Sequence, residues 1–97
     1  MHPSASAARA QSLAEATVAA GVTTERHLHR RTEEFYHVLA GVGLMCLDDT
    51  EFEVAAGDTV VIPPGTPHCI HNPGSIDLVF LCCCAPAYDH DDTVLLD

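Results

Sequence analysis

The amino-acid sequence predicts an all-β fold of the sandwich or barrel type. Short apolar runs alternate with turn signals rich in glycine, proline, asparagine and aspartate along most of the 97 residues. Several short strands at such spacing are typical of closed or two-layered β domains. No window of the sequence has a convincing 3.6-residue apolar period, and no internal repeat or second domain is visible.

The first 20 residues are compatible with two structures. Residues 1–10 are rich in alanine and serine, and we expect them to be poorly ordered. The alanine content of residues 5–20 is compatible with a helix, whereas Thr17, Val18 and the segment 21–24 favour an extended strand and a turn. We predict a strand at about residues 11–19, and a single barrel domain over residues 11–97.

Seven further apolar runs predict the remaining strands, and they lie near residues 25–30, 34–40, 43–48, 51–55, 58–62, 67–71 and 76–84. Alternate residues of a strand face the same side of its sheet. If Glu34 and His68 face inward, Tyr36, Val38 and Ile70 do so as well, and we expect these three to line an interior pocket. The same alternation turns three other side chains outward, namely those of His37, Cys69 and His71.

Composition limits the classes of partner. The net charge is −10, the pI is about 4.8, and the sequence contains four arginines and no lysine. An acidic protein repels phosphate backbones, so we expect no nucleic-acid partner. No segment approaches the roughly 18 consecutive apolar residues of a membrane span, and the N-terminus lacks an apolar signal-peptide centre, so we expect no membrane partner.

Five cysteines are present, of which Cys82, Cys83 and Cys84 are consecutive. The odd number and the spacing suit no disulfide framework, so we predict reduced thiols and a cytoplasmic location. Adjacent cysteines of a strand point to opposite faces, which makes them poor partners for each other. We interpret them as small core residues, with a soft-metal site as the alternative.

Two stretches of the sequence carry histidines at the spacing of metal ligands. The first reads Gly21-x5-His27-x-His29-x4-Glu34-x6-Gly41, and the second reads Gly57-x5-Pro63-x-Gly65-x2-His68-x3-Asn72. Three imidazoles and one carboxylate are a usual ligand set for a first-row transition metal. A single strand histidine is more often a hydrogen-bonded core or surface residue, but the combination of both stretches is far more specific.

The spacing also suggests how the ligands would meet. His27 and His29 lie two residues apart on one strand, so their backbones are about 7 Å apart and both side chains share a face. We expect Glu34 to come from the next strand and His68 from a strand across the barrel, after a stiff Pro-Pro-Gly turn. Four ligands from three strands would leave two adjacent positions open on an octahedral metal.

Both stretches resemble the two motifs of the cupin superfamily, with complete agreement in spacing. The resemblance covers residues 21–72. It implies a six- to eight-stranded β-barrel of the jelly-roll type, metal ligands at His27, His29, Glu34 and His68, and often a homodimer. The family permits Glu33 or Glu34 at the third position, and the six residues before Gly41 select Glu34.

Other polar residues have two interpretations each. Tyr36 is a candidate catalytic proton donor or substrate anchor, or a barrel-lining aromatic residue. Arg30 and Arg31 could bind a substrate carboxylate, or they are solvated or paired with Glu33 and nearby acids. The segment 88–92 contains potential ligands, but we favour a solvated acidic end or a lid over the barrel mouth.

These features predict a metal-dependent enzyme that acts on a small organic substrate, with an Fe(II)-type oxygenase favoured. Three alternatives remain: an isomerase, epimerase or lyase that uses the metal as a Lewis acid, a non-catalytic binding module, and a structural metal site. We expect one divalent transition metal per chain, which could be Fe, Mn, Ni, Zn or Cu because affinity alone does not select iron.

Overall fold

A computed structural model describes residues 10–96, and these form nine β-strands and one short 3-10 turn at His90–Asp92. The strands are β1 (Ser12–Val18), β2 (His27–His29), β3 (Glu33–Ala40), β4 (Val42–Leu47), β5 (Thr50–Ala55), β6 (Thr59–Ile62), β7 (His68–His71), β8 (Leu78–Ala85) and β9 (Thr93–Leu95). The all-β prediction is confirmed. Residues 1–9, for which disorder was expected, lie outside the described part of the chain.

The strands form two antiparallel sheets that pack face to face. The four-stranded sheet has the order β1-β8-β3-β6, and the five-stranded sheet has the order β5-β4-β7-β2-β9. Side chains alternate between buried and exposed along β3 and β6, and between buried and half-buried along β7, as expected for sheets with one more solvated face. The buried faces enclose one hydrophobic core, which includes Val38, Met45, Ile62, Ile70 and Leu78.

The N-terminal segment is a strand, in agreement with the sequence prediction. β1 pairs along its whole length with β8, so that Ala14 lies opposite Cys82 and Ala16 lies opposite Phe80. Alanine therefore serves here as a small strand residue, and the tertiary pairing outweighs its helix propensity.

The sequence prediction missed β9. This strand has only three residues, follows an acidic turn and pairs with β2, whose residues lie more than 60 positions earlier. No local pattern distinguishes so short a strand from a loop, and the register exists only because β2 offers a free edge.

The turn between β3 and β4 depends on Gly41, which has a φ of 83°. A Cβ atom at this position would lie 2.6 Å from the carbonyl oxygen of Asp77. Gly41 is thus required both for the left-handed conformation and for the close approach of the segment before β8.

Asn72, the last residue of the second motif, is completely buried and holds the end of β7. Its side-chain amide donates to the carbonyl oxygens of Val18 and Ile76, and its Oδ1 accepts from the backbone N–H of Gly74. The motif asparagine therefore has a structural role, since it joins β1, β7 and the following loop.

Within residues 10–96, no helical segment has the length and hydropathy needed to cross a membrane.

Candidate metal centre

The four residues predicted as metal ligands converge at one end of the space between the sheets. One potential ligand atom from each of His27, His29, Glu34 and His68 lies within 4.8 Å of every other. Glu34 Oε1 lies 3.3 Å from His29 Nε2 and 3.2 Å from His68 Nε2. His29, Glu34 and His68 are buried and His27 is half-buried, so the cluster is accessible mainly from one side.

Both sheets contribute to this cluster. β2 and β7 are neighbours in the five-stranded sheet, where His27 lies directly opposite His68 and their ring centroids are 4.3 Å apart. Glu34 comes from β3 in the other sheet. The expectation that His68 comes from a strand across the barrel is therefore correct relative to Glu34 and wrong relative to His27 and His29. Register pairing of β7 with β2 places the two imidazoles side by side, and it is Glu34 that crosses between the sheets.

The Pro63–Thr66 turn is fixed against the first ligand strand. Gly65, with a φ of 75°, donates its backbone N–H to the carbonyl oxygen of His29 at 2.6 Å. The carbonyl oxygen of Thr66 in turn contacts Nδ1 of His68 at 2.9 Å. One turn thus connects the backbone of one ligand to the side chain of another, which restricts the freedom of both.

Hydrogen bonds at the outer ring nitrogens determine which nitrogen faces the cluster. A carbonyl oxygen can only accept, so Nδ1 of His68 carries a proton toward Thr66, and Nδ1 of His27 carries one toward Glu25 at 3.0 Å. In a neutral imidazole the other nitrogen, Nε2, then presents a lone pair. Burial lowers the pKa of His27, although its bond to Glu25 opposes this, so the ring is neutral at pH 7.

These lone pairs leave the centre of the cluster without a compensating proton. His68 Nε2 and Glu34 Oε1 are fully buried and make no hydrogen bond, although they are close to each other. Lone pairs that face one another repel, and buried polar atoms without partners are costly. A divalent cation would satisfy all of them at once, so the residues present fit a metal site.

The carboxylate of Glu34 is held in its ionised form. Burial favours the protonated acid, but a proton on the inner nitrogen of His29 or His68 outweighs it and lowers the pKa of Glu34 to about 2. With both rings neutral, a bound cation would supply that positive charge instead. The second oxygen, Oε2, accepts a hydrogen bond from the Cys84 thiol at 3.3 Å. This leaves Oε1 directed at the histidines, as a metal ligand requires.

A cavity of about 480 Å³ opens beside the cluster. Its walls come from β1, β3, β8 and the C-terminal segment, and they include Ala14, Ala16, Tyr36, Phe80, Cys82 and Tyr88. The prediction that Tyr36 lines the pocket is correct. The prediction that Val38 and Ile70 also line it is wrong, because both lie deeper, in the hydrophobic core. Alternation correctly predicted that they face inward, but it carries no information about depth along the strand.

Tyr36 lies between the cluster and the core. Its ring centroid is 5.9 Å from that of His68 and 4.4 Å from that of Phe80. Burial, with the charge of Glu34, raises the pKa of Tyr36 well above its usual value of 10. The hydroxyl therefore remains protonated at neutral pH and can serve as a hydrogen-bond or proton donor.

The five cysteines are free thiols. Cys82 and Cys84 face the cavity and Cys83 does not, as the alternation predicted. Burial, with the nearby charge of Glu34, raises the pKa of Cys82 to about 12. Cys82 and Cys84 are thus small neutral wall groups, and the group of potential metal ligands includes none of the described cysteines.

The C-terminal segment closes over the cluster. The ring of Tyr88 lies 5.9 Å from that of His29 and lines the cavity, and Thr93 Oγ1 lies 3.0 Å from His29 Nδ1. Asp92 is buried and accepts hydrogen bonds from the backbone N–H groups of Arg31 and Thr32. This arrangement agrees with the lid interpretation of residues 88–92.

Asp92 also explains the position of the arginines. Its Oδ1 lies 3.3 Å from Nε of Arg31, whereas Arg30 donates to the carbonyl oxygen of Asp91. Both guanidinium groups are engaged by this segment, and Glu33 is not their partner. Sequence analysis missed Thr93 as part of the site, because only the pairing of β9 with β2 brings it there.

Comparison with known proteins agrees with this architecture. The chain is 50% identical to the uncharacterized protein MJ1618 of Methanocaldococcus jannaschii over 97 residues, which cover 100% of this chain and 78% of the relative. It is also similar to the structure of an uncharacterized conserved protein with a double-stranded β-helix domain from Klebsiella pneumoniae subsp. pneumoniae. That similarity has a TM-score of 0.83 at 19% identity and covers 93% of this chain and 77% of the other, so it concerns the fold alone.

A third similarity is to the structure of a predicted oxalate decarboxylase from Thermotoga maritima. The TM-score is 0.76 at 28% identity, over 80% of this chain and 68% of the other. Residues 14–84 match the cupin domain family. This match includes both histidine motifs from His27 to Asn72 and all four residues of the cluster, and the chain therefore belongs to the cupin family.

Proposed function

We propose that this protein is a mononuclear metal-dependent dioxygenase that acts on a small organic substrate. The single observation that carries the metal-dependent part is the pair His68 Nε2 and Glu34 Oε1, which face each other, buried and without a hydrogen-bond partner, within the four-residue cluster. His27, His29, Glu34 and His68 would hold the ion. Bound Fe(II) would supply activation of dioxygen at positions that the four side chains leave free.

The composition of the cavity favours oxygenation over acid–base chemistry. Among the described residues that line it, Glu34 is the one carboxylate, and it belongs to the ligand cluster. An isomerase or lyase needs a positioned base beside the metal as well as an acid. In a dioxygenase reaction both atoms of dioxygen enter the substrate and the substrate supplies the electrons, so no external reductant is required.

Tyr36 is our candidate for a catalytic residue within this proposal. Its ring lies beside His68, and its protonated hydroxyl is suited to donate a hydrogen bond to a substrate oxygen. Tyr36→Phe should lower kcat roughly 100-fold or more at unchanged metal content if the hydroxyl acts as a proton donor. An unchanged kcat would assign Tyr36 to the cavity wall alone.

Oxygen consumption tests the reaction. Protein loaded anaerobically with Fe(II) is offered a panel of small diols, ketones and enols, and dioxygen uptake is measured together with incorporation of isotopically labelled dioxygen into the product. We expect uptake with both labelled atoms in the product, and loss of uptake in Glu34→Gln, which removes the ligand charge at nearly constant shape. Turnover without dioxygen uptake would instead support an isomerase or lyase. Metal binding with no turnover at all would support a non-catalytic binding module.

A further inference from the structure

The wall of the cavity opposite the histidines is built from small and apolar side chains. β1 contributes Ala14 and Ala16, and β8 contributes Phe80 and Cys82 directly opposite them. Alanine at both positions leaves room that larger strand residues would fill. A volume of about 480 Å³ lies within the range of sites that enclose small organic ligands.

The polar groups in this wall are already engaged by the protein. Ser12 Oγ accepts from the backbone N–H of Tyr88, and Thr24 Oγ1 accepts from that of Ile70. Thr93 Oγ1 contacts His29 Nδ1 and donates to the carbonyl oxygen of Asp89. Away from the metal ligands, a ligand therefore meets neutral hydroxyl and thiol groups and no charged side chain among the described lining residues.

The described lining of the cavity contains no arginine, and the sequence contains no lysine. Arg30 and Arg31 bind the C-terminal segment, and the side chain of Arg31 is 74% exposed. A carboxylate or phosphate group on the far end of a ligand would therefore enter an apolar wall without a cationic partner. Burial of an unpaired anion is strongly unfavourable.

From these walls we infer that the ligand of this cavity is an uncharged, predominantly apolar small molecule, such as an alkyl-substituted or aromatic diol or ketone, that meets the metal through oxygen. The inference rests on the metal site of the proposed function. It distinguishes this chain from enzymes that act on sugar phosphates or dicarboxylates, whose substrates carry negative charge away from the reacting group.

A matched pair of ligands tests this inference on the full-length protein loaded with Ni(II) under anaerobic conditions. The probes are 4-methylcatechol and 3,4-dihydroxybenzoate, which share the chelating diol and differ by a methyl group against a carboxylate. Dissociation constants are measured by calorimetry, and the Ni(II) content is checked after titration. We expect 4-methylcatechol to bind at least about tenfold more tightly, because the carboxylate lacks a partner in the wall. Equal or tighter binding of 3,4-dihydroxybenzoate, or tighter binding of glucose 6-phosphate, would overturn the inference.

A variant supplies the missing charge. Ala14→Arg places a cation in the cavity wall opposite Cys82, and Thr17→Arg adds the same charge on the exposed face of the same strand. Ala14→Arg should move the preference toward 3,4-dihydroxybenzoate, and Thr17→Arg should leave it unchanged. The same shift in both variants would contradict the assignment of this wall.

This experiment is independent of turnover, because it measures binding without dioxygen. A protein that binds no Ni(II) would refute the metal-dependent function itself. A protein that binds Ni(II) and prefers the charged probe would refute only the substrate class.

Discussion

The histidines of the cluster and the outward-facing His71 differ in what their ring nitrogens contact. Those of the cluster use Nδ1 for an outer hydrogen bond and direct Nε2 inward, as His68 does with Thr66. His71, three residues later, faces the other side of β7, where its Nδ1 lies 2.7 Å from Thr23 Oγ1. Residues three apart on a strand face opposite sides of the sheet, so His68 points toward the cluster and His71 points away from it.

His68→Ala should therefore weaken metal binding by more than the roughly 10- to 100-fold that loss of an outer hydrogen-bond partner costs. His71→Ala should leave it unchanged, because this side chain lies outside the cluster. Metal affinity is measured by competition with a chelator, and circular dichroism confirms that both variants fold. His27→Ala, at a half-buried ligand position, provides a second test. Equal losses in His68→Ala and His71→Ala would contradict the alternation argument.

At the scale of elements, the turns differ in how strictly they require glycine. Gly41 and Gly57 both have positive φ, but a Cβ atom at Gly57 would meet nothing within 4 Å. At Gly41 it would meet the backbone at Asp77 and Leu78, which cannot move away independently. A side chain at Gly57 would therefore cost only the free energy of the left-handed backbone conformation. A side chain at Gly41 would add a steric clash to that cost.

Gly57→Ala should lower the free energy of unfolding by about 1 kcal/mol, the cost of a left-handed residue with a Cβ. Gly41→Ala should lower it by roughly 3 kcal/mol, because overpacking adds to that cost. Urea unfolding measures both values, and Gly57→Ala is the matched control. Equal destabilisation would show that the loop before β8 moves away freely.

Asp92 joins the C-terminal segment to the loop before β3, because its carboxylate accepts hydrogen bonds from the backbone of that loop. Burial opposes ionisation of Asp92, but hydrogen bonds from Thr32 and Arg31 outweigh it, so the pKa of Asp92 lies below its usual value of 3.8. A group with a lowered pKa in the folded state adds stability above its unfolded pKa and loses it as the pH falls toward the folded value. This contribution is thus complete above about pH 5, where the unfolded carboxyl is fully ionised, and decreases below it.

Asp92→Asn should unfold at a lower urea concentration than the wild type at pH 7, because two backbone donors lose a charged acceptor. The difference between the two proteins should shrink below pH 3.8. Asp91→Asn, at the exposed neighbouring residue, is the control and should match the wild type throughout. A difference that does not change with pH would show that the charge of Asp92 is not involved.

For the molecule as a whole, bound metal and folding are coupled. The four ligands come from three strands in two sheets, so the unfolded chain cannot present them together. A ligand that binds only the folded state stabilises it by mass action, by about 2.7 kcal/mol at 100 times its dissociation constant.

Metal loading at that concentration should raise Tm by roughly 10–20 °C for a domain of this size. Scanning calorimetry of metal-free and loaded protein measures the increase. His68→Ala should lose most of it and His71→Ala none. A Tm that is independent of metal in the wild type would argue against a metal site in the folded protein.

The homodimer implied by the cupin motifs stays a prediction.

The sequence by itself determined the strand pattern, the inward-facing set and the identity of the four cluster residues. These depend on local properties: turn residues at fixed offsets, and the two-residue period that places His27 with His29 and Glu34 with Tyr36 on one face. Only the tertiary structure decided that β7 pairs with β2, that β9 closes over the cluster, and that Ala14 and Cys82 form an apolar wall beside it. Each of these is a contact between residues far apart in the chain. Such contacts follow from which edges and faces remain free once the sheets assemble, and no local pattern records that.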